Sequence, residues 1–340
     1  MKYLSFVVPS YNAENYLNKC VDSLLIGGED VEIIIVNDGS KDNTLAIAND
    51  YLVKYPSIVK VVDKENGGHG SGVNAGVKNA TGLYFKCVDA DDWVDKDAYL
   101  KLLETIKKHY HNSESPDMYF VNYVFERLDL GESYVEKTNK MPKERIITWK
   151  DVKKLGLGEF FMMHQMIVRL DVIKQSNVLL PEHTFYVDNV FAFVPLKYVK
   201  TIYYLDVDFY RYYVGRPNQS VTIKNMSKNY LQQIRVLREM VLAYSLKELK
   251  ALDKHHYRYM IHDLIVKSYL TLFYVMLENN KEKDKKYKEF WQEFKLKNKK
   301  LYYKLRYRTY FAFQGLLIKP LRKAATLYGY ERIRRKTRWT

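Results

Sequence analysis

A chain of 340 residues with 47% apolar composition can build one large or two ordinary domains around a real core, which excludes a disordered tail and a disulfide-stapled miniprotein. Its two cysteines, Cys20 and Cys87, supply neither a disulfide framework nor an all-thiolate metal cage and suit a reducing cytosol. The net charge of +15 is confined to one end: residues 281–340 hold 20 Lys and Arg against 5 Asp and Glu, leaving 35 against 35 in residues 1–280. A neutral body with a basic end makes that end a docking device and places the chemistry elsewhere.

The opening apolar run breaks at Pro9, so residues 3–8 read as a buried strand and not as a secretory leader. Residues 14–25 follow with Tyr16, Leu17, Val21, Leu24 and Leu25 at helical spacing. Strands are predicted at 32–37, 58–63 and 83–89, with helices at 42–54 and near 72–79, the alternation of a mostly parallel α/β sheet. Beyond it come a helix at 97–110, a strand at 117–125, and a polar stretch at 126–150 holding a hairpin or an exposed loop. Helices are expected at 171–176 and 188–198 and a tyrosine-rich strand or strand pair at 201–213; from about 225 only helices follow, at 230–249 and 254–278. We place a boundary near residue 222, between a domain at 1–222 and a helical, basic and aromatic region at 223–340. The most apolar helix carries Asp263 and Lys267 and falls short of the roughly 20 apolar residues needed to span a bilayer.

In an open α/β sheet the ligand lies beyond the carboxyl ends of the strands. There this sequence puts Pro9-Ser10-Tyr11-Asn12, Asp38-Gly39-Ser40, Asn66-Gly67-Gly68-His69-Gly70 and Asp89-Ala90-Asp91-Asp92. Each alone reads as a turn, a helix cap or a tight connection; all four coincide on one edge. On an extended segment Asp89 and Asp91 project to the same side, and hard oxygen donors suit Mg²⁺ or Mn²⁺ bound together with substrate phosphates. The glycine loop follows the third strand and lacks a closing lysine, so it is not a dinucleotide or P-loop motif.

These motifs, with Asn74 and Gly76 after the glycine loop and Trp93 after the acids, resemble in order those of bacterial family 2 glycosyltransferases of the GT-A fold. The likeness is strong over residues 1–100, the nucleotide-sugar half, and looser over 101–222, the acceptor half. It implies that Pro9, Tyr11 and Asn12 hold the uracil and ribose side of a nucleotide sugar and that Asp38 meets the base. It further implies that Gly68, Gly70 and Asn74 flank the donor, that Asp89 faces ribose or sugar, and that Asp91 carries the metal and diphosphate. The chain has Gly72-Val73 where the family often has Ala-Arg.

Sugar transfer with inversion needs a base to take the proton of the acceptor hydroxyl. Residues 180–191 resemble the family's acceptor-side motif, which makes Asp188 the candidate base; Val187 stands where a second acid often precedes it. A helix cap is the plain alternative for Asp188. Arg216, in a segment resembling the family's Tyr-Arg…Ser stretch, is a candidate cation near the diphosphate, with Arg211 secondary. His164 lies in an apolar run and reads as a satisfied core histidine, and Cys87 as a small buried hydrophobe.

The expected activity is metal-dependent, inverting transfer of a sugar, most simply from a UDP-sugar, to a hydroxyl of a surface glycan, teichoic-acid-type polymer or glycolipid. Residues 301–340 interleave cations with rings and aliphatics, which suits a peripheral helix on an anionic cytoplasmic leaflet or, alternatively, a core or oligomer contact. Nucleic-acid binding through the basic end and a silent nucleotide-sugar scaffold are the rival readings; neutrality of residues 1–280 argues against the first, and intact Asp89, Asp91 and Asp188 against the second.

Overall fold

The computed structural model describes residues 1–156, 158–215, 222–277 and 280–308, with isolated positions beyond. Two compact units emerge, one of residues 1–152 and 161–217, the other of 153–160 and 218–340.

The first unit begins with β1 (Leu4–Ser10), α1 (Leu17–Leu25), β2 (Val31–Asp38), α2 (Thr44–Lys54), β3 (Val59–Lys64), α3 (His69–Asn79) and β4 (Tyr84–Cys87). Then come β5 (Trp93–Val94), α4 (Lys96–His111), β6 (Met118–Arg127), β7 (Glu132–Glu136), β8 (Ile146–Thr148), β9 (Met166–Arg169), α5 (Leu170–Ser176), α6 (Asp188–Phe193) and β10 (Thr201–Tyr213). One mixed sheet runs β3-β2-β1-β4-β9-β6-β10-β5, with β7 on β6 and β8 on β10. Its β3-β2-β1-β4 half is parallel, while β9 joins the halves antiparallel to both β4 and β6. Residues 126–150 therefore hold a hairpin partner for β6 and a short strand for β10.

Local chemistry explains most boundaries. Every residue of β1 and β2 is buried, as a sheet covered on both faces requires. Buried Leu17, Cys20, Val21 and Leu24 give α1 one apolar stripe. Asp95 caps α4 by accepting from the Ala98 N–H at 3.1 Å. The helix expected over 188–198 stops at Phe193 and resumes as a 3₁₀ turn at Pro195–Tyr198, because Pro195 has no N–H for the ladder and its ring crowds the preceding turn. In β10 the register against β6 shifts between Tyr204 and Tyr210, a bulge of the sort that re-aims side chains beside sites.

The second unit is helical: α7 (Ile223–Lys228), α8 (Tyr230–Ala243), α9 (Leu246–Lys250), α10 (Lys254–Met276), α11 (Lys281–Lys297) and α12 (Lys299–Arg308). The single helix expected over 230–249 is two, because Ser245 and Glu248 form a capping box that starts α9 afresh. Leu237, Met260, Leu264, Phe290, Phe294, Leu301 and Leu305 form its core. Among the described residues no helix is long and apolar enough to cross a membrane. Most of the basic stretch at 309–340 lies outside them.

Candidate active site

The carboxyl ends of β1, β2, β3 and β4 share one edge of the sheet, which brings the four polar motifs together. Pro9 ends up under α3, where a Cβ on Gly72 would stand 2.9 Å from its ring. Tyr11 is exposed. Asn12 adopts a left-handed φ of 49°, and its side chain accepts from the Lys41 N–H at 2.9 Å. Asp38 is buried, its carboxylate accepting from Gly67 and Gly68 N–H at 2.9 and 2.7 Å and from Lys64 Nζ at 2.7 Å. It therefore organises the glycine loop.

That loop is joined to the segment leading into Asp188. The His183 N–H donates to the Gly67 carbonyl at 2.6 Å, and Ser71 donates to Glu182 at 2.8 Å. The Asn74 amide pairs twice with the backbone of Leu180, donating to its carbonyl at 2.8 Å and accepting from its N–H at 2.9 Å. Gly68 has a φ of 82°, and a side chain on Gly70 would come within 2.7 Å of the Pro181 carbonyl, so only glycine lets the two segments touch. The contacts of Gly68, Gly70 and Asn74 thus run to residues 180–184. His183 and Tyr186 also take positive φ, 47° and 65°, two non-glycine departures just before the candidate base. Asp188 itself is the first residue of α6.

The acidic motif differs from expectation. β4 ends at Cys87, and residues 89–92 form a turn in which the Asp92 N–H donates to the Asp89 carbonyl at 2.9 Å. A turn, unlike an extended segment, brings residues i and i+3 together, so Asp92 joins Asp89. Two groups place their donor atoms within 4.8 Å of one another among the described residues: His69, Cys87 and Asp89, and Asp89, Asp92 and His164. Asp91, the expected metal ligand, belongs to neither.

Asp89 is half-buried between two histidines. His69 Nε2 lies 2.8 Å from its Oδ1 and His164 Nε2 lies 3.9 Å from its Oδ2. Burial opposes charge on Asp89, but the His69 imidazole outweighs it and holds the carboxyl below the usual range; by the same pairing His69 titrates well above its ordinary value despite burial. Asp92 is 1% exposed; it accepts from the Tyr210 hydroxyl at 2.6 Å and the Tyr213 N–H at 2.8 Å. Burial and then the Asp89 charge raise its carboxyl. Beneath them Lys86 is wholly buried and donates to the carbonyls of Met163, His164 and Met166 at 2.9, 2.6 and 3.3 Å. Burial pushes its ammonium down to about 7 against the pull of Asp89 and Asp92.

His164 overturns the reading of a satisfied core histidine. It is buried, yet neither ring nitrogen makes a hydrogen bond among the described residues. Burial lowers it to about 4, so the imidazole is neutral. Cys87 is buried as expected, with its thiol raised by burial and eased by a hydrogen bond from His69. Arg211 is engaged by Asp95 at 2.7 Å and Glu126 at 2.9 Å and acts as a structural tie. Arg216 lies outside the described residues. The Tyr212 phenol is raised by burial and then by Asp92, Asp89 and Asp188, so all three acids bear on one ring.

Residues 5–170 match the family model described as Glycosyl transferase family 2. This part of the chain is a family 2 glycosyltransferase domain. Glycosyltransferase GlyA of Streptococcus pneumoniae is 34% identical over 166 residues, 45% of this chain and 23% of that protein. The poly(ribitol-phosphate) beta-glucosyltransferase of Bacillus spizizenii is 30% identical over 226 residues, 65% of this chain and 33% of that enzyme. The chain thus spans a quarter to a third of the length of these relatives. In fold it is similar to S. aureus TarS 1-349, crystallised in complex with UDP-GlcNAc, with a TM-score of 0.65 at 19% identity, over 99% of this chain and 92% of that one.

Proposed function

We propose that the chain transfers a sugar, with inversion, from a UDP-sugar to a hydroxyl of an envelope polymer. The observation that carries this reading is the seam between the glycine loop and residues 180–184, which ties the segment bearing Asp188 to the donor-side loop next to Asp89. Asp188 accepts the proton of the acceptor hydroxyl as its oxygen bonds to the anomeric carbon, and the bond to the diphosphate breaks with its electron pair leaving on the nucleotide. Pro9, Tyr11, Asn12 and Asp38 line the nucleotide end.

A divalent cation, Mn²⁺ or Mg²⁺, fits the turn at 89–92. Its donors are carboxylates, and the orphaned imidazole of His164 beside Asp89 is a polar group with a ligand still to find. Asp89 would hold the ion, with Asp91, the family's metal position, on the same turn. When bound, such an ion neutralises charge on the departing diphosphate. The neighbour's UDP-GlcNAc and the relative's poly(ribitol-phosphate) support a UDP donor and an anionic polymer acceptor. The 20 basic residues of 281–340 suit phosphate, whether of such a polymer or of lipid headgroups at the membrane face.

The test is a thermal-shift and product assay with a panel of nucleotide sugars. UDP with Mn²⁺ is expected to stabilise the protein, and Asp188→Asn to keep that shift while losing about 10²–10⁴-fold in transfer. Wild-type turnover by Asp188→Asn, or no response to any nucleotide, would sink the reading.

A further inference from the structure

We propose that His164 Nε2 is an inner-sphere ligand of the domain's divalent cation, alongside the carboxylates of Asp89 and Asp92, so that the site selects transition ions over Mg²⁺. This deepens the transferase reading and rests on it for the presence of a cation. The three residues bring donor atoms within 4.8 Å of one another. His164 Nε2 and Asp89 Oδ2 stand 3.9 Å apart, compatible with two ligands sharing one ion through bonds of about 2.0–2.2 Å.

The imidazole is the decisive feature. It is only 4% exposed and neither nitrogen has a hydrogen-bond partner among the described residues, a burial that costs about 1–3 kcal/mol when nothing compensates it. Its position is nevertheless enforced. Lys86 anchors the backbone carbonyls on either side of it and its own. The rings of Tyr210 and Tyr212 lie 4.8 and 4.7 Å from its centroid, with Tyr123 at 5.9 Å, which fixes its plane. A polar ring held without a partner and facing two carboxylates is a ligand arranged in advance. His69 has a different place: it is hydrogen-bonded to the other oxygen of Asp89 and orients that carboxylate from outside, as partners of metal-binding groups do. Imidazole favours later transition ions whereas Mg²⁺ prefers oxygen alone, so affinity is expected to run Co²⁺ above Mn²⁺ above Mg²⁺.

The experiment is titration of the nucleotide-free 340-residue chain with Mn²⁺ alone, followed by electron paramagnetic resonance, with pulsed spectra reading coupling to directly bound ¹⁴N. Wild type and His69→Phe are expected to show that coupling. His164→Phe, which keeps a ring among the tyrosines, should lose it and bind Mn²⁺ about tenfold more weakly. An oxygen-only spectrum in wild type, no Mn²⁺ binding at millimolar concentration, or coupling that survives in His164→Phe overturns the proposal. If His164→Phe does not fold, the wild-type spectrum and its persistence in His69→Phe decide. None of this requires turnover. A protein that transfers sugar with an oxygen-only ion sinks this inference and spares the transferase reading; a nitrogen-bound ion with no turnover on any nucleotide sugar does the reverse.

Discussion

Lys86 on β4 and Lys283 on α11 are both buried, one in each unit, and both donate to backbone carbonyls. Lys86 reaches those of Met163, His164 and Met166, and Lys283 reaches the carbonyl and hydroxyl of Ser227. Around Lys86, however, stand two carboxylates that are themselves hydrogen-bonded, Asp89 to His69 and Asp92 to Tyr210 and Tyr213. In the second unit the buried acid, Asp263 on α10, has one oxygen without a partner among the described residues. Burying charge costs several kcal/mol unless partners compensate. In the first unit those partners come from segments far apart in sequence, and the network positions a site. In the helical unit Lys283 ties α11 to α7, while burial raises the Asp263 carboxyl against the pull of Lys267.

The contrast breaks first, if it breaks, at Lys86. Lys86→Met removes three buried hydrogen bonds to carbonyls, of which that of Met163 keeps the Met166 N–H, and is expected to destabilise the protein by about 3 kcal/mol in denaturant unfolding. It should also release residues 163–166, lowering kcat more than it raises KM for the donor. Lys283→Met, which loses a carbonyl and a rotatable hydroxyl among the described residues, should cost about 1–2 kcal/mol and leave kcat alone. Equal losses of stability with kcat intact in both variants would show that Lys86 is only a packing device.

A neutral member of the same network gives a smaller effect. Asn74→Ala removes both hydrogen bonds to Leu180, about 2 kcal/mol, and loosens the segment ahead of Asp188. Steady-state kinetics should show kcat down about tenfold through misplacement of that carboxylate, with the donor KM little changed. A raised donor KM at constant kcat would instead place Asn74 against the donor, as the family likeness implies.

The strand ends, the order of the motifs and the parallel half of the sheet were legible because each depends on local pattern: apolar runs, then glycine and aspartate where the chain turns. The pairing of the acids was not. The turn at 89–92, closed by the hydrogen bond from the Asp92 N–H to the Asp89 carbonyl, brings Asp92 to Asp89, and nothing local in the sequence marks it against an extended segment. Lys86 lies within the strand expected at 83–89 and nothing local marks it, because its three acceptors lie almost eighty positions away. The seam of Asn74 with Leu180 spans 106 positions, and nothing in either stretch announces the other. His164 was recognisable as buried from its neighbours, but its lack of a partner is a property of the assembled sheet. Pro195 and the Ser245–Glu248 capping box, by contrast, carry local signals for the helix ends found at both places.

The mildest perturbation tests the helical unit. Burial lifts the Asp263 carboxyl to about 6 in the folded chain from an ordinary 3.8, with Lys267 pulling the other way. Between those values the folded state binds more protons than the unfolded one, so this group's contribution to stability falls as pH rises from about 4 to about 6 and stays low above. Asn fills the same volume and never ionises. Asp263→Asn is therefore expected to stabilise the protein by about 2 kcal/mol at pH 7.5, a rise of a few degrees in Tm, and to give little gain near pH 4, where the native carboxyl is already protonated. Melting curves at both pH values measure the difference directly. A gain independent of pH would mean that Asp263 is not raised in the folded state.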